Sequence, residues 1–184
     1  MSRPQHDSTL VSWLPEFSSS RRITGSSNYS CVKVPRGIRR LTALNSLGVI
    51  DVRAERGGST ILEELKNLTL LHDLEVSGIN RNNIKKFLDA ISGHRHLELL
   101  SVKFDTDNLG CMDGNVITSP LENLHALELY RLVRKLPVWM MELQGITSIK
   151  LQMIMLPQGK IDAIERIPKL RFLSLFFEKF QDDQ

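Results

Sequence analysis

The sequence predicts an α/β solenoid, in which parallel strands line the concave face of a horseshoe-shaped arc and helices and irregular turns form its convex face. Three observations predict this fold class. An apolar pattern recurs along the chain, each copy contains a strand-like and a helix-like half, and the copies follow one another at nearly constant spacing. A single unit of this kind is open on two sides, so it buries its apolar residues only by stacking against its neighbours.

The repeated pattern is apolar-x-x-apolar-x-x-apolar-x-apolar. Its third apolar position falls at residues 47, 74, 100, 127, 149 and 173, so that successive copies are separated by roughly 22–27 residues. This period is typical of leucine-rich repeats and predicts a solenoid of about six units.

The strand half of each unit is predicted at the last two apolar positions. In the second unit, Leu74 and Val76 flank Glu75, and a period of two directs the aliphatic pair inward and Glu75 to the concave face. The outward middle positions are then Gly48, Glu75, Ser101, Glu128, Lys150 and Ser174. A flanking outward row follows two residues later and consists of Ile50, Ser77, Lys103, Tyr130, Gln152 and Phe176. In the first unit, Ile50 and Val52 could form the inward pair instead, so the sequence leaves the register of the first strand undecided.

The other half of each unit has helical or irregular character. Ile84, Phe87, Leu88 and Ile91 are spaced as one face of a helix, which an asparagine at position 82 or 83 would cap and Gly93 would end.

A second convex segment follows Leu136 and Pro137. Here Trp139, Met140 and Met141 form either a contact patch or part of the core of the convex wall, and their fit to the apolar period favours the core. Ile161, Ile164 and Ile167 predict a third segment of this type, ended by Pro168.

Asparagine is absent from the turn position where regular repeats place it. The residues found there are Val52, Ile79, Asp105, Leu132, Ile154 and Glu178. We therefore expect turns held more by apolar packing than by shared side-chain hydrogen bonds.

The composition of the chain indicates its domain organisation and its cellular location. Residues 1–30 are rich in serine and other polar residues and predict a disordered tail, followed by a repeat domain over 31–178 and a C-terminal tail over 179–184. The two cysteines, Cys31 and Cys111, are far apart, which favours a reducing, cytoplasmic location. No segment predicts a signal peptide or a membrane span.

No motif predicts catalysis or a cofactor. The net charge of +3 comes without a dense basic run, which argues against nucleic-acid binding. The insertion at 105–115 resembles a calcium loop only in part, since Leu109 and Val116 occupy ligand positions. His94 and His96 are expected to be solvated turn residues, because no cysteine or carboxylate cluster accompanies them.

Several phrases of the sequence together point to a known family. They are residues 34–38, 41–44, 64–69, 91–102 and 135–143, the last reading KLPVWMMEL. In this order they resemble the leucine-rich-repeat region of plant nucleotide-binding disease-resistance proteins, especially those of grasses, and the resemblance covers about residues 32–178. In that family the repeats follow a signalling domain and a nucleotide-binding switch, so the resemblance implies a repeat-only fragment or a short relative.

Nucleotide binding does not carry over from the family. Gly159 and Lys160 are followed by Ile161 and lack the earlier glycine of a phosphate-binding loop, so no cofactor is expected. The resemblance implies a protein partner, either a pathogen effector or a nucleotide-binding switch domain, and a role in the defence response. The alternatives are the substrate-recognition repeats of a ubiquitin-ligase receptor, or a truncated receptor fragment without independent function.

Partner contact is predicted on the concave face and at the C-terminal edge. The concave candidates are Glu75, Lys103, Glu128, Tyr130, Lys150 and Gln152, and no small-molecule substrate is expected. The candidates at the C-terminal edge are Phe172, Phe176 and Phe177, which form either a cap or an interface.

Overall fold

Six parallel strands, added to one sheet in chain order, form the frame of the fold. The computed structural model describes residues 37–53, 57–105, 121–133, 135–156, 164–165 and 167–180, and the statements below concern these residues. The strands are β1 (Ser46–Asp51), β2 (Asp73–Ile79), β3 (Leu99–Phe104), β4 (Ala126–Leu132), β5 (Ser148–Leu156) and β6 (Phe172–Phe180). Every neighbouring pair is parallel, which confirms the predicted α/β solenoid. Strand β6 extends beyond residue 178, where the sequence placed the end of the repeat domain.

Short helices precede the first strand or connect some of the strands, on the convex side of the sheet. They are α1 (Gly58–Leu65), α2 (Ile84–Ile91) and two 3₁₀ helices at Ile38–Arg40 and Val138–Glu142. Helix α2 has the bounds and the buried face that the spacing of Ile84, Phe87, Leu88 and Ile91 predicts. The second 3₁₀ helix follows Pro137, whose extended backbone precedes the first helical residue.

The predicted aliphatic positions line up across the sheet. Leu74, Leu100, Leu127 and Ile149 are successive Cα partners in β2 to β5, and all four are buried. Each buried side chain of this size contributes about 1.5–3 kcal/mol before chain entropy is subtracted. The stacked units therefore share one continuous apolar core.

The first unit departs from the main prediction. Leu47 pairs with Leu74, but Ile50 rather than Val49 pairs with Val76, because β1 carries an extra residue in a β-bulge. Ile50 and Val52 are consequently both buried in the core. The prediction that Ile50 belongs to the outward row is therefore wrong. The alternative inward pair is the one that forms.

One asparagine does join neighbouring turns. The Asn83 amide nitrogen donates to the carbonyl oxygens of Gly78 (2.9 Å) and Val52 (3.1 Å), and its side-chain oxygen accepts from the backbone N–H of Asn80 (2.8 Å). Apolar side chains fill the turns at Val52, as predicted, and also at Ile79. Between the first two units, the side-chain hydrogen bonds of Asn83 therefore add to the expected apolar packing.

Gly78 is the extra residue of β2 in its pairing with β3, and it lies against residues of the first unit. Its φ of 80° is left-handed, and a Cβ atom there would lie 2.7 Å from Cγ of Arg53 and 2.8 Å from Oδ1 of Asp51. Asp51 is buried and forms a bidentate ion pair with Arg53. Glycine at position 78 therefore makes room for this pair.

A repeated main-chain contact sets the start of each strand from β2 onward. The carbonyl oxygen of Asn45 accepts hydrogen bonds from two successive amides, those of His72 and Asp73. Four further carbonyls repeat the contact with the next unit, all at 2.7–3.1 Å, and they belong to His72, Glu98, His125 and Thr147. Among the described residues, one side chain adds to this ladder: the hydroxyl of Thr147 donates to the carbonyl oxygen of His125 at 3.3 Å.

His94 is buried, so the prediction of a solvated turn residue is wrong for it. Its Nε2 lies 3.1 Å from the carbonyl oxygen of Leu65 and its Nδ1 lies 3.3 Å from that of Ile91, which joins the ends of α1 and α2. Burial lowers the pKa of His94, while its backbone hydrogen bonds oppose that shift. His96 is exposed, as expected.

The convex wall also differs in one residue. Trp139 and Met140 are fully buried, as the apolar period predicts, but Met141 is exposed because the tighter 3₁₀ turn rotates it away from the core. Within the described residues, no helix has the length and apolar character needed to span a membrane. The predicted N-terminal tail, both cysteines and most of the insertion at 105–115 lie outside the described residues.

Candidate functional site

A continuous row of side chains crosses the concave face. Glu75, Ser101, Glu128, Lys150 and Ser174 are successive Cα partners from β2 to β6, so the predicted middle row is present in these five strands. Gly48, the sixth predicted member, lies in the bulge of β1. Adjacent strands are about 4.8 Å apart, which places the backbones of Glu75 and Glu128 roughly 10 Å from each other, with Ser101 between them.

Glu75 lies in an environment that disfavours its charge. Burial raises the pKa of Glu75, and the neighbouring carboxylates of Glu128 and Asp73 raise it further. Asp73 stands two residues earlier on the same face of β2 and is exposed. The centre of the concave face is therefore acidic and partly desolvated.

Tyr130 connects the acidic centre to a lysine. Its hydroxyl donates a hydrogen bond of 2.6 Å to Oε2 of Glu128, and the Nζ of Lys150 lies 5.5 Å from the centroid of its ring. Three of the predicted contact residues are thus brought together. Their contacts hold a carboxylate, a phenol ring and an ammonium group in fixed relative positions.

The flanking row is continuous only in part. Ser77, Lys103 and Tyr130 are Cα partners, but Tyr130 and Gln152 are not, since β4 bulges at Arg131, which has a φ of 63°. Ser77 is buried and donates to the carbonyl oxygen of Ile50 at 3.3 Å, so it adds nothing to the contact surface. Lys103 and Gln152 are both half-buried.

The last strand presents aromatic side chains. Phe172 is 59% exposed and Phe176 is 54% exposed, and both share the concave side of β6 with Ser174. Phe177 and Leu173 alternate with them and are also exposed, although they occupy core positions in register with Met153 and Ile149. All three predicted edge residues are therefore exposed at the end of the sheet.

Sequence reasoning missed two features of the concave face. Ser101 was assigned to the middle row but not to the contact residues, yet it is only 8% exposed and lies between two carboxylates. Asp73 is the second, because its charge raises the pKa of Glu75. The signal available in the sequence was the recurrence of acidic residues at outward positions of β2 and β4, on either side of Ser101.

The arrangement suits polar and ionic contact with another molecule. In the described ranges, no three His, Cys, Asp or Glu side chains come together in a way that would hold a metal ion. What the face offers is carboxylate acceptors beside lysine donors, with one aromatic ring between them.

Comparison with known proteins agrees with the architecture. A family model described as a leucine-rich repeat region matches residues 27–184, which is most of the chain. No curated protein matches the sequence.

Proposed function

Because this chain belongs to the leucine-rich repeat family, we propose that it is a non-enzymatic recognition module that binds a protein partner through the concave face. One observation carries the proposal. Tyr130 is held between Glu128 and Lys150 near the centre of that face, and an aromatic side chain fixed in this way loses little conformational entropy when a partner covers it.

The repeat scaffold supports the same conclusion. A parallel sheet whose apolar side chains are buried on one face presents only its other face, and that face is broad enough for a polypeptide. The face carries acidic side chains such as Glu75 and basic ones such as Lys150. These charges would contribute more to the specificity of partner binding than to its affinity.

The sequence phrases described above support a narrower proposal. Their similarity to plant disease-resistance receptors favours a cytoplasmic role in defence, with a pathogen effector or a nucleotide-binding switch domain as the partner. This part of the proposal rests on resemblance alone.

Selection of displayed peptides would test the concave face. Random peptides on phage are selected against the purified protein, and each binder is then measured against two double variants. Tyr130→Ala with Lys150→Glu should weaken the binders by roughly tenfold or more, because it removes the aromatic anchor and reverses a charge. Lys85→Glu with Met141→Ala, at exposed convex positions, is the matched control and should leave binding unchanged.

The proposal fails if the convex variant weakens the selected binders as much as the concave variant, or if neither does. Circular dichroism of both variants should show the wild-type spectrum, so that a loss of binding is not a loss of fold.

A further inference from the structure

Two carboxylates face each other across a serine at the centre of the concave face. Glu75 on β2, Ser101 on β3 and Glu128 on β4 occupy one register line, and we call these three residues the acidic notch. Because serine is shorter than glutamate, Ser101 forms the floor of the notch and the two glutamates form its walls.

The floor of the notch has an unused polar group. Ser101 is 8% exposed, and its hydroxyl has no hydrogen-bond partner in the described part of the chain. The hydroxyl oxygen itself is not closed off, because in the described residues Nε1 of Trp139 is the buried side-chain polar atom without a partner. The hydroxyl of Ser101 is therefore available to a group that enters the notch from the concave side.

The walls of the notch are also without a cation. Across the described residues, neither Glu75 nor Glu128 forms an ion pair with a lysine or arginine. Lys150 is the Cα partner of Glu128, but its ammonium lies over the ring of Tyr130. Burial is the main cause that raises the pKa of Glu75, and the neighbouring carboxylates of Glu128 and Asp73 raise it further by a repulsion that a cation would relieve.

One wall is held in place before any ligand arrives. Tyr130 donates to Oε2 of Glu128 at 2.6 Å, which leaves Oε1 as the acceptor for another donor. A ligand that fits must carry positive charge and several hydrogen-bond donors directed to both sides. The planar guanidinium group of arginine has five N–H donors in a rigid fork, whereas the ammonium of lysine is a compact point charge.

We infer that the acidic notch binds one arginine side chain of the protein partner. The guanidinium donates to the carboxylate of Glu75, to Oε1 of Glu128 and to the hydroxyl of Ser101. The inference rests on the proposed function, because it assigns a recognition element to the same concave face.

Two synthetic peptide libraries on beads provide the probe. Both are random except at one central position, which is arginine in the first library and citrulline, its neutral isostere, in the second. Fluorescently labelled protein should be retained by the arginine library roughly tenfold more than by the citrulline library, since a charge-assisted pair replaces a neutral one. The protein itself carries a net charge of +3, so general attraction does not favour cationic peptides.

Two variants assign the preference to the notch. Glu75→Gln with Glu128→Gln keeps the shape of both walls and should abolish the preference for arginine. Glu122→Gln removes one exposed carboxylate elsewhere and should retain it. The paired glutamine variant should melt at or above the wild-type temperature, because it removes repulsion between carboxylates rather than an ion pair.

Equal retention by both libraries, or an unchanged preference in the paired glutamine variant, would overturn the arginine site. Either result leaves the proposed function standing if the selected phage peptides still depend on Tyr130 and Lys150. Conversely, if the selected phage peptides bind the Tyr130→Ala, Lys150→Glu variant as tightly as the wild type, the proposed function itself is wrong.

Discussion

Two leucines on the same line of the sheet provide a sharp test of the stacking argument. Leu127 on β4 and Leu173 on β6 both occupy the first inward strand position, each in register with Ile149 of β5. Leu127 is 1% exposed, because units lie on both sides of it, whereas Leu173 is 39% exposed at the end of the sheet. Replacing each with alanine makes the same chemical change in two different environments.

The expected magnitudes follow from burial. Leu127→Ala removes a fully buried side chain and leaves a closed cavity, so the free energy of unfolding should fall by about 2–5 kcal/mol. Leu173→Ala removes a partly exposed side chain and leaves no closed cavity, so the loss should be about 1 kcal/mol.

Urea unfolding followed by circular dichroism measures both losses. With a slope of about 2 kcal/mol per molar urea, the midpoint for Leu127→Ala should lie roughly 1–2.5 M below the wild type, and that for Leu173→Ala about 0.5 M below it. Equal shifts for the two variants would refute the reasoning, because they would mean that Leu173 is covered in solution as completely as Leu127.

Three further predictions concern single contacts between units. Gly78→Ala should lower the free energy of unfolding by about 2–3 kcal/mol, because it combines a left-handed φ with a Cβ atom within 2.8 Å of two side-chain atoms; Gly93→Ala, with nothing within 4 Å, should not be destabilising when measured by the same thermal melt. Asn83→Ala should cost about 1–3 kcal/mol through the loss of its shared hydrogen bonds, and Asn83→Asp should cost as much, since it lacks the amide donors; a smaller loss in urea unfolding would contradict this. The lowered pKa of His94 means that the unfolded chain takes up the proton first, so stability should decline as the pH falls below about 6.5 and level off below the folded-state pKa. His94→Gln should reduce this pH dependence in melting experiments, while His96→Gln, at an exposed position, should leave it unchanged.

The register could be predicted from the sequence wherever two neighbouring strands pair residue by residue, without a bulge. In β2 to β5 the spacing of aliphatic residues determines which side chains enter the core, so Glu75 and Glu128 were placed correctly. Ile50 was misplaced because a bulge adds a residue to one strand, and a bulge has no strong signal in an irregular repeat. The bulge at Arg131 separated Gln152 from Tyr130 for the same reason.

Individual side-chain contacts escaped prediction for a different reason. His94 has the local sequence of an exposed turn, but its ring also contacts the carbonyl of Leu65, which lies in the preceding unit. Likewise, the bond from Tyr130 to Glu128 depends on side-chain rotamers rather than on spacing. The candidate site could be located from the sequence, but its internal contacts could not.

The main-chain hydrogen bonds at the starts of the strands do not depend on which side chains the residues carry. Their acceptors belong to residues as different as Asn45, Glu98 and Thr147, and only an amide is required of each donor. Mutation can therefore alter the side chains at these positions freely, with proline alone excluded from the donors by its missing N–H. Related proteins can therefore change the partner that the concave face binds while they keep the same backbone fold.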